Sequence, residues 1–306
     1  MSQMVPASSV EDDDNIIPYT LASFHALVKK YYSHSSDDKS LNGCPPVVLL
    51  QQLYSYVGDR TTVDKELQEC RENKLLRTFK IFDNNVVVAL DRDFRSFTLA
   101  FDSEKFKQSD EINVAGVNVE GDVDDKTRRV QTNDKTSTPN LKEDKFKLEK
   151  KILKDFHDGV LLHWTDQSIT REEIITFMRP ENQEYEAQIF ISLCRLGFLV
   201  RKTNAPSGDS FNFSFPGIGK FGTRVSDARK YMLSRIKRNK YKEILDTEII
   251  KITKHSRKSN KRRRLEETSK HNPLFYGAAF HLDDIIGAGL VRIVNTPAGR
   301  LLKLND

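Results

Sequence analysis

The run "PGIGKFG", Pro216 to Gly222, sets Gly217, Gly219 and Gly222 in a G-x-G-x-x-G spacing directly after the alternating apolar stretch Phe211-Asn212-Phe213-Ser214-Phe215. Glycines so spaced leave backbone N–H groups open to phosphate, which is how dinucleotide-binding folds seat a pyrophosphate and kinases cover ATP. Each chemistry requires a context. A dinucleotide site needs the next helix to return to a parallel strand bearing an acid. Beyond Gly222 the chain reads "TRVSDARKYMLSRIKRNKYKEIL", helical in pattern and basic throughout, with no such strand. A kinase needs V-A-I-K, H-R-D and D-F-G beyond the loop, and none of them occurs in the 84 residues after Gly222. The "DFR" at Asp93 to Arg95 lacks the glycine and precedes the loop. The simpler reading is that Pro216, Gly217 and Gly219 end a strand and turn the chain into a helix. No cofactor and no catalytic residue is expected.

The other reactive side chains form no set. Cys44, Cys70 and Cys194 are far apart, with no C-x-x-C spacing, so neither a disulfide framework nor a zinc site is indicated. His157, His163, His255, His271 and His281 show no metal-ligand spacing, and no metal is expected. Asp91 and Asp93 in "DRDF" read as turn and cap residues rather than an acid/base pair, and Trp164 as a core or contact residue. Met1 to Asp14 is polar and acidic, and no apolar run approaches the roughly 18 residues that span a bilayer, so an intracellular, soluble chain is expected.

What remains is charge. The total is +5, but Lys220 to Arg264 holds 17 Lys and Arg against Asp227, Glu243, Asp246 and Glu248, a local +13 that leaves the rest of the chain at −8. Such a block meets a polyanion.

The elements that must carry this block repeat. An apolar helix, a short exit ending in Arg and a hairpin occur three times: "LQECRENKLLR" before "TFKIFDNNVVVAL", "IFISLCRLGFLVR" before "KTNAPSGDSFNFSF", and "FHLDDIIGAGLVR" before "IVNTPAGRLLKL". The turns fall at Asp83 to Asn85, Pro206 to Asp209 and Thr296 to Gly299. Helix, exit and hairpin make the second half of a winged helix. Earlier helices fit: Leu49 to Tyr56 is amphipathic, Asp59 can cap the helix through Leu67, and Thr170-Arg171-Glu172-Glu173 has capping-box spacing. The expected fold is mostly α with small β-hairpins (α+β), as three tandem winged-helix domains, each too small to stand without its neighbours. The expected divisions are a disordered N-terminus (1–17), winged helix 1 (18–101), a disordered acidic linker (102–144), winged helix 2 (145–222), and a basic helix plus winged helix 3 (223–306) with a mobile basic insert at 254–272.

"CPPVVLLQQLYSYVGDRTTVDKELQECRENKLLR", "FPGIGKFGTRVSDARKYMLSRIKRNKYKEIL" and "FHLDDIIGAGLVRIVNTPAGRLLKL" together resemble the serine/threonine-protein kinase 19 family. The resemblance rests on Pro45-Pro46-Val47, the turn Asp59 to Thr61, Pro216 to Phe221, Lys240 to Ile244 and Asp284 to Val291. It implies a nuclear protein of three winged helices that binds double-stranded DNA in transcription-coupled nucleotide-excision repair, beside stalled RNA polymerase II, its repair ubiquitin ligase and the helicase complex TFIIH. The kinase of the family name finds no motif here. A winged-helix interaction subunit without direct DNA contact is the other alternative, and a monomer is expected.

Winged helices read DNA with a basic or amide-rich recognition helix in the major groove. The three candidates carry Asp64, Glu66, Glu69 and Glu72; Glu184 and Glu186; and Asp283 and Asp284. Acid there moves the expected DNA surface to the helix after the glycine turn. On its wheel Ala228, Met232 and Ile236 form the buried stripe, and Arg229, Lys230, Lys237 and Lys240 are expected on another face, flanked by Lys220, Arg224, Arg235, Arg238 and Lys242. Phosphate contacts of this kind fix position without reading bases. Lys254, Arg257 and Lys258 with Lys261, Arg262, Arg263 and Arg264 have the composition of a bipartite nuclear import signal, or of a DNA-contacting arm.

Overall fold

The computed structural model describes residues 18–32, 44–81, 85–103, 139–202, 209–251, 274 and 276–305. Within them one order of elements occurs three times: helix, strand, two helices, two strands. The first repeat is α1 (Tyr19–Tyr32), β1 (Val47–Leu49), α2 (Leu50–Val57), α3 (Arg60–Glu72), β2 (Leu76–Lys80) and β3 (Val86–Leu90), followed by α4 (Asp91–Ala100). The second is α5 (Pro139–Phe156), running into a π-helical turn at His157–Leu161, then β4 (Ser168–Thr170), α6 (Arg171–Met178), α7 (Gln183–Leu196), β5 (Leu199–Arg201) and β6 (Ser210–Phe213). The third is α8 (Ile218–Arg238), β7 (Glu243–Leu245), a helical stretch at 246–251, α9 (Ala278–Gly287), β8 (Val291–Thr296) and β9 (Gly299–Leu304).

Each repeat builds one antiparallel three-stranded sheet in which the last strand lies between the other two, as β1-β3-β2, β4-β6-β5 and β7-β9-β8. This is the winged-helix order, and the fold is α+β as expected. The described strands contain no parallel pair, so the glycine run has no dinucleotide-type surroundings. Local signals act where the sequence puts them. Asp59 caps α3 by accepting from the Thr61 N–H at 3.1 Å, and Thr170 and Glu173 close a capping box at the start of α6. The last hairpin turns at Thr296 to Gly299. Of the other two turns, residues 82–84 and 203–208 lie outside the described residues.

The repeats are not three separate cores. The central strand β3, "VVVAL", reads as an unbroken apolar run because it is covered on both sides. Val87 and Ala89 face a core shared with the second repeat, while Val88 faces a core under α1, α2 and α3. The shared core is aromatic: Phe79 meets Phe94 at 4.8 Å and Phe215 at 5.1 Å, and Phe101 meets Phe198 at 5.2 Å, all edge to face. Such pairs add about 1 kcal/mol each beyond the area they bury. A third core, with Ala228, Met232, Ile236, Ile244, Ile285 and Leu302, fills the last repeat.

Two sequence divisions meet helices. α5 begins at Pro139, inside the stretch 102–144 expected to be a linker, and α8 crosses the division at 222/223. Residues 1–17, 104–138 and 252–273, where the disordered N-terminus, most of the linker and the basic insert were expected, lie outside the described residues.

Candidate nucleic-acid interface

α8 leaves the glycine run as a structural turn. Gly217, at φ 85°, takes a left-handed conformation that a Cβ would oppose, and its carbonyl accepts from the Phe221 N–H at 3.1 Å to open the helix. From there 21 residues run unbroken to Arg238. Ile218, Phe221, Val225, Ala228, Met232 and Ile236 recur at three- and four-residue intervals and are buried, which fixes how the helix is rotated. Lys220, Lys230 and Lys237 point to solvent as a consequence. Arg235, Lys237 and Arg238 occupy the last turn, where cations also complement the helix dipole.

Beyond the helix, Asn239 to Lys242 forms a tight turn. The Lys242 N–H donates to Asn239 O at 3.0 Å, and the Asn239 side-chain amide donates to Glu243 O at 2.7 Å. Lys242 adopts φ 53°, unusual for a residue with a Cβ, and its carbonyl accepts from the Leu304 N–H at 3.2 Å, tying the turn to the end of β9. Lys237, Arg238, Lys240 and Lys242 are all exposed here, and no ion pair among the described residues neutralises them or Lys230. The outer face of the last sheet continues the basic character: Arg292 is registered opposite Lys303, with Glu243 on the far side.

Arg229 departs from this set, and the expectation that it shares the face of Lys230 and Lys237 is corrected. It stands seven residues, about two turns, before Ile236 and therefore on the buried side of the helix. Its guanidinium grips both carboxylate oxygens of Asp284 at 2.6 Å and donates to Asn85 Oδ1 at 2.6 Å. Burial pushes the Asp284 carboxyl above the usual carboxylate range, with Arg229 pulling the other way. Arg224 is half-buried and hydrogen-bonded to Tyr276, and Arg235 lies 5.7 Å from the Tyr231 ring centroid. These two are packing cations with partial access to solvent. Lys254, Arg257, Lys258, Lys261, Arg262, Arg263 and Arg264 lie outside the described residues.

The acidic helices are largely committed elsewhere. α9 is sandwiched: Phe280, His281, Leu282, Asp284, Ile285 and Gly287 are buried, and Asp283 holds Tyr31 and Lys30 of α1. Backbone contact with α2 is so close that a Cβ on Gly287 would fall 1.6 Å from Gln51 O. α9 therefore cannot enter a DNA groove. In α3, Glu66 accepts from the Thr20 N–H at 2.6 Å, and in α7 Glu186 pairs with Arg171 at 2.7 Å.

Asp91 is likewise structural: with both side chains 2% exposed, it pairs with Arg77 at 2.6 Å. Among the described residues no group of three or more His, Cys, Asp or Glu is arranged to hold a metal, and no helix is long and apolar enough to cross a membrane. Two residues of consequence carry weak sequence signals. Arg77 looks like a strand exit, and Tyr241 is one tyrosine in a run of lysines.

A family model described as Inactive serine-threonine protein kinase 19 matches residues 37–304. The chain is 29% identical over 266 residues to Winged helix repair factor 1 of Xenopus laevis, covering 86% of this chain and 76% of that protein. It is 24% identical over 265 residues to the Homo sapiens protein of that name, covering 86% and 78%. A shorter match, 29% over 112 residues and 37% of this chain, is to Serine/threonine-protein kinase mug51 of Schizosaccharomyces pombe, 32% of which it covers. With nearly the whole described chain inside the family match, and without the kinase motifs that the word "inactive" disowns, this chain belongs to the Inactive serine-threonine protein kinase 19 family.

Proposed function

We propose that this protein is a non-enzymatic DNA-binding scaffold of nuclear DNA repair, which holds duplex DNA through phosphate contacts while its other surfaces hold proteins. The observation that carries the reading is the group of exposed, unneutralised cations where α8 ends, Lys237, Arg238, Lys240 and Lys242, joined along the helix by Lys230. Cations set along a helix and its exit turn match the spacing of phosphates better than the edges of bases, so binding is weakly dependent on sequence and steeply dependent on salt. The relatives' name, Winged helix repair factor 1, supports repair as the setting. Within that setting the finer proposal is transcription-coupled nucleotide-excision repair beside stalled RNA polymerase II, its ubiquitin ligase and TFIIH, with Lys254 to Arg264 as the nuclear import signal.

The test is a titration of duplex DNA at several salt concentrations with the full chain and with Lys230, Lys237, Lys240 and Lys242 changed to Glu. Arg229 is left alone because its reversal would break the Asp284 clamp. Loss of affinity together with a flatter salt slope supports the surface. Equal binding and equal slopes would remove it. One observation favours a protein-interaction role alongside or instead: the outer side of α7 and the edge strand β5 expose Ile191 at 59% and Val200 at 50%. If that role stands instead of DNA binding, charge reversal leaves DNA affinity unchanged.

A further inference from the structure

We infer that Tyr241 is a base-stacking residue and that the basic surface prefers DNA in which unpaired bases adjoin a duplex. This rests on the DNA-binding reading above and refines it. Tyr241 is 65% exposed, the most exposed of the large apolar and aromatic side chains among the described residues. A ring left in water by its own fold costs free energy that packing would recover, and nothing in the third core takes it up. Its surroundings are the four exposed cations Lys237, Arg238, Lys240 and Lys242, with the Lys240 ammonium 5.3 Å from its ring centroid.

The turn that presents it is held in place. Its three hydrogen bonds run from Lys242 to Asn239, from Asn239 to Glu243 and from Leu304 to Lys242, and Lys242 is kept in its left-handed conformation. Holding the backbone of the turn in this way removes part of the ordering cost that a mobile loop would pay on binding. A tyrosine face flanked by cations is the recurring element of single-strand binding: the cations follow the backbone, and the ring accepts any base because every base has a π-face. In an intact duplex the bases are stacked on each other, and the ring has nothing to cover. The lysines bind either form of DNA, while Tyr241 distinguishes them.

The experiment measures the affinity of the full chain for a plain duplex and for the same duplex with a central unpaired bubble, at one salt concentration, for wild type, Tyr241→Ala and Tyr241→Phe. The expected result is tighter bubble binding by wild type and Tyr241→Phe. Tyr241→Ala should lose about fivefold or more on the bubble alone and keep the duplex affinity and salt slope. A 2-aminopurine placed in the bubble should be quenched by wild type and not by Tyr241→Ala. If Tyr241→Ala keeps the wild-type ratio of bubble to duplex affinity, the stacking role is wrong while the cationic surface stands. If wild type binds neither DNA with a salt-dependent affinity, the DNA reading fails and this inference with it.

Discussion

The first repeat holds its two neighbours by different means. Toward the second repeat the contact is a closed aromatic core in which one ion pair is sealed. Arg77 lies between Asp91 and the second repeat, donating to Leu161 O at 3.0 Å and Trp164 O at 2.9 Å, with its guanidinium 5.7 Å from the Phe94 ring centroid and 5.5 Å from that of Phe213. Toward the third repeat the contact is a helix crossing, α2 on α9, with polar groups reaching across it. Gln52 donates to Phe280 O at 2.9 Å, Arg60 to Gly287 O at 2.8 Å, and Arg229 clamps Asp284 and Asn85. The first junction excludes water and depends on matched shape. The second is no less buried, with Gln52 and Asp284 at 0% exposure, and depends on matched polar groups. Breaking either ion pair orphans a buried carboxylate, and the first loss is the larger because Arg77 also serves the Leu161 and Trp164 carbonyls.

The largest predicted effect tests that contrast directly. Arg77→Met leaves Asp91 buried with only Arg95, 2.8 Å away, to compensate, and should cost about 3–5 kcal/mol in urea denaturation. A loss below about 1 kcal/mol would show that the sealed pair contributes little. Next, Gly287→Ala drives a methyl group into the Gln51 backbone and should cost about 3 kcal/mol, loosening the third repeat from the first. Hydrogen exchange should then rise in α9 and α2 before the aromatic core. Uniform loss of protection would mean that the two junctions unfold as one. Arg229→Met leaves the Asp284 carboxylate, 0% exposed, without its partner; it should cost about 3 kcal/mol and leave the salt slope of DNA binding unaltered. A flatter slope would return Arg229 to the proposed DNA surface.

The smallest effect, over the pH unit just below 6.5, is that of a buried histidine. His281 is wholly buried beside Phe280 and Tyr276, and neither ring nitrogen has a hydrogen-bond partner among the described residues. Burial, then the Arg229 charge, pushes its pKa down to about 3. Because the folded value lies below the ordinary 6.5, the unfolded chain takes up the proton first. This contribution to stability is therefore present above pH 6.5 and declines toward pH 3, by about 1.4 kcal/mol per pH unit. Asp284, with its raised pKa, works in the opposite sense in the acid range. His281→Leu isolates the histidine. It should flatten the fall in stability over roughly the first pH unit below 6.5, and identical pH profiles would refute the assignment.

Periodicity and turn chemistry made the repeats legible in advance. The caps at Asp59 and Thr170, the hairpin at Thr296 to Gly299 and the stripe Ala228, Met232, Ile236 are all local patterns, decided within a few residues. What stayed hidden depends on partners distant in sequence. Arg229 stands among cations, and only Asp284 and Asn85, 55 and 144 residues away, mark it as a clamp. Its position two turns before Ile236 was the one local sign. Arg77 gave less warning, since its partners Leu161 and Trp164 belong to another repeat. Acid in α9 did signal something other than groove reading, because Asp283 and Asp284 are spent on the contacts between repeats.

α8 carries a mechanical consequence. Its early turns, through Val225, are set in the core shared by the first two repeats, and from Ala228 onward it is set in the third. At 1.5 Å per residue its 21 residues make a rod about 31 Å long. The α2–α9 crossing ties the third repeat back to the first as well. The rod therefore sets the angular phase of the surface at its tip. One residue inserted between Val225 and Ala228 turns everything beyond it by about 100°, carrying Lys237 and Lys240 off their bearing and pulling Arg229 from Asp284. The bearing of that cationic surface is thus written in the residue count of one helix.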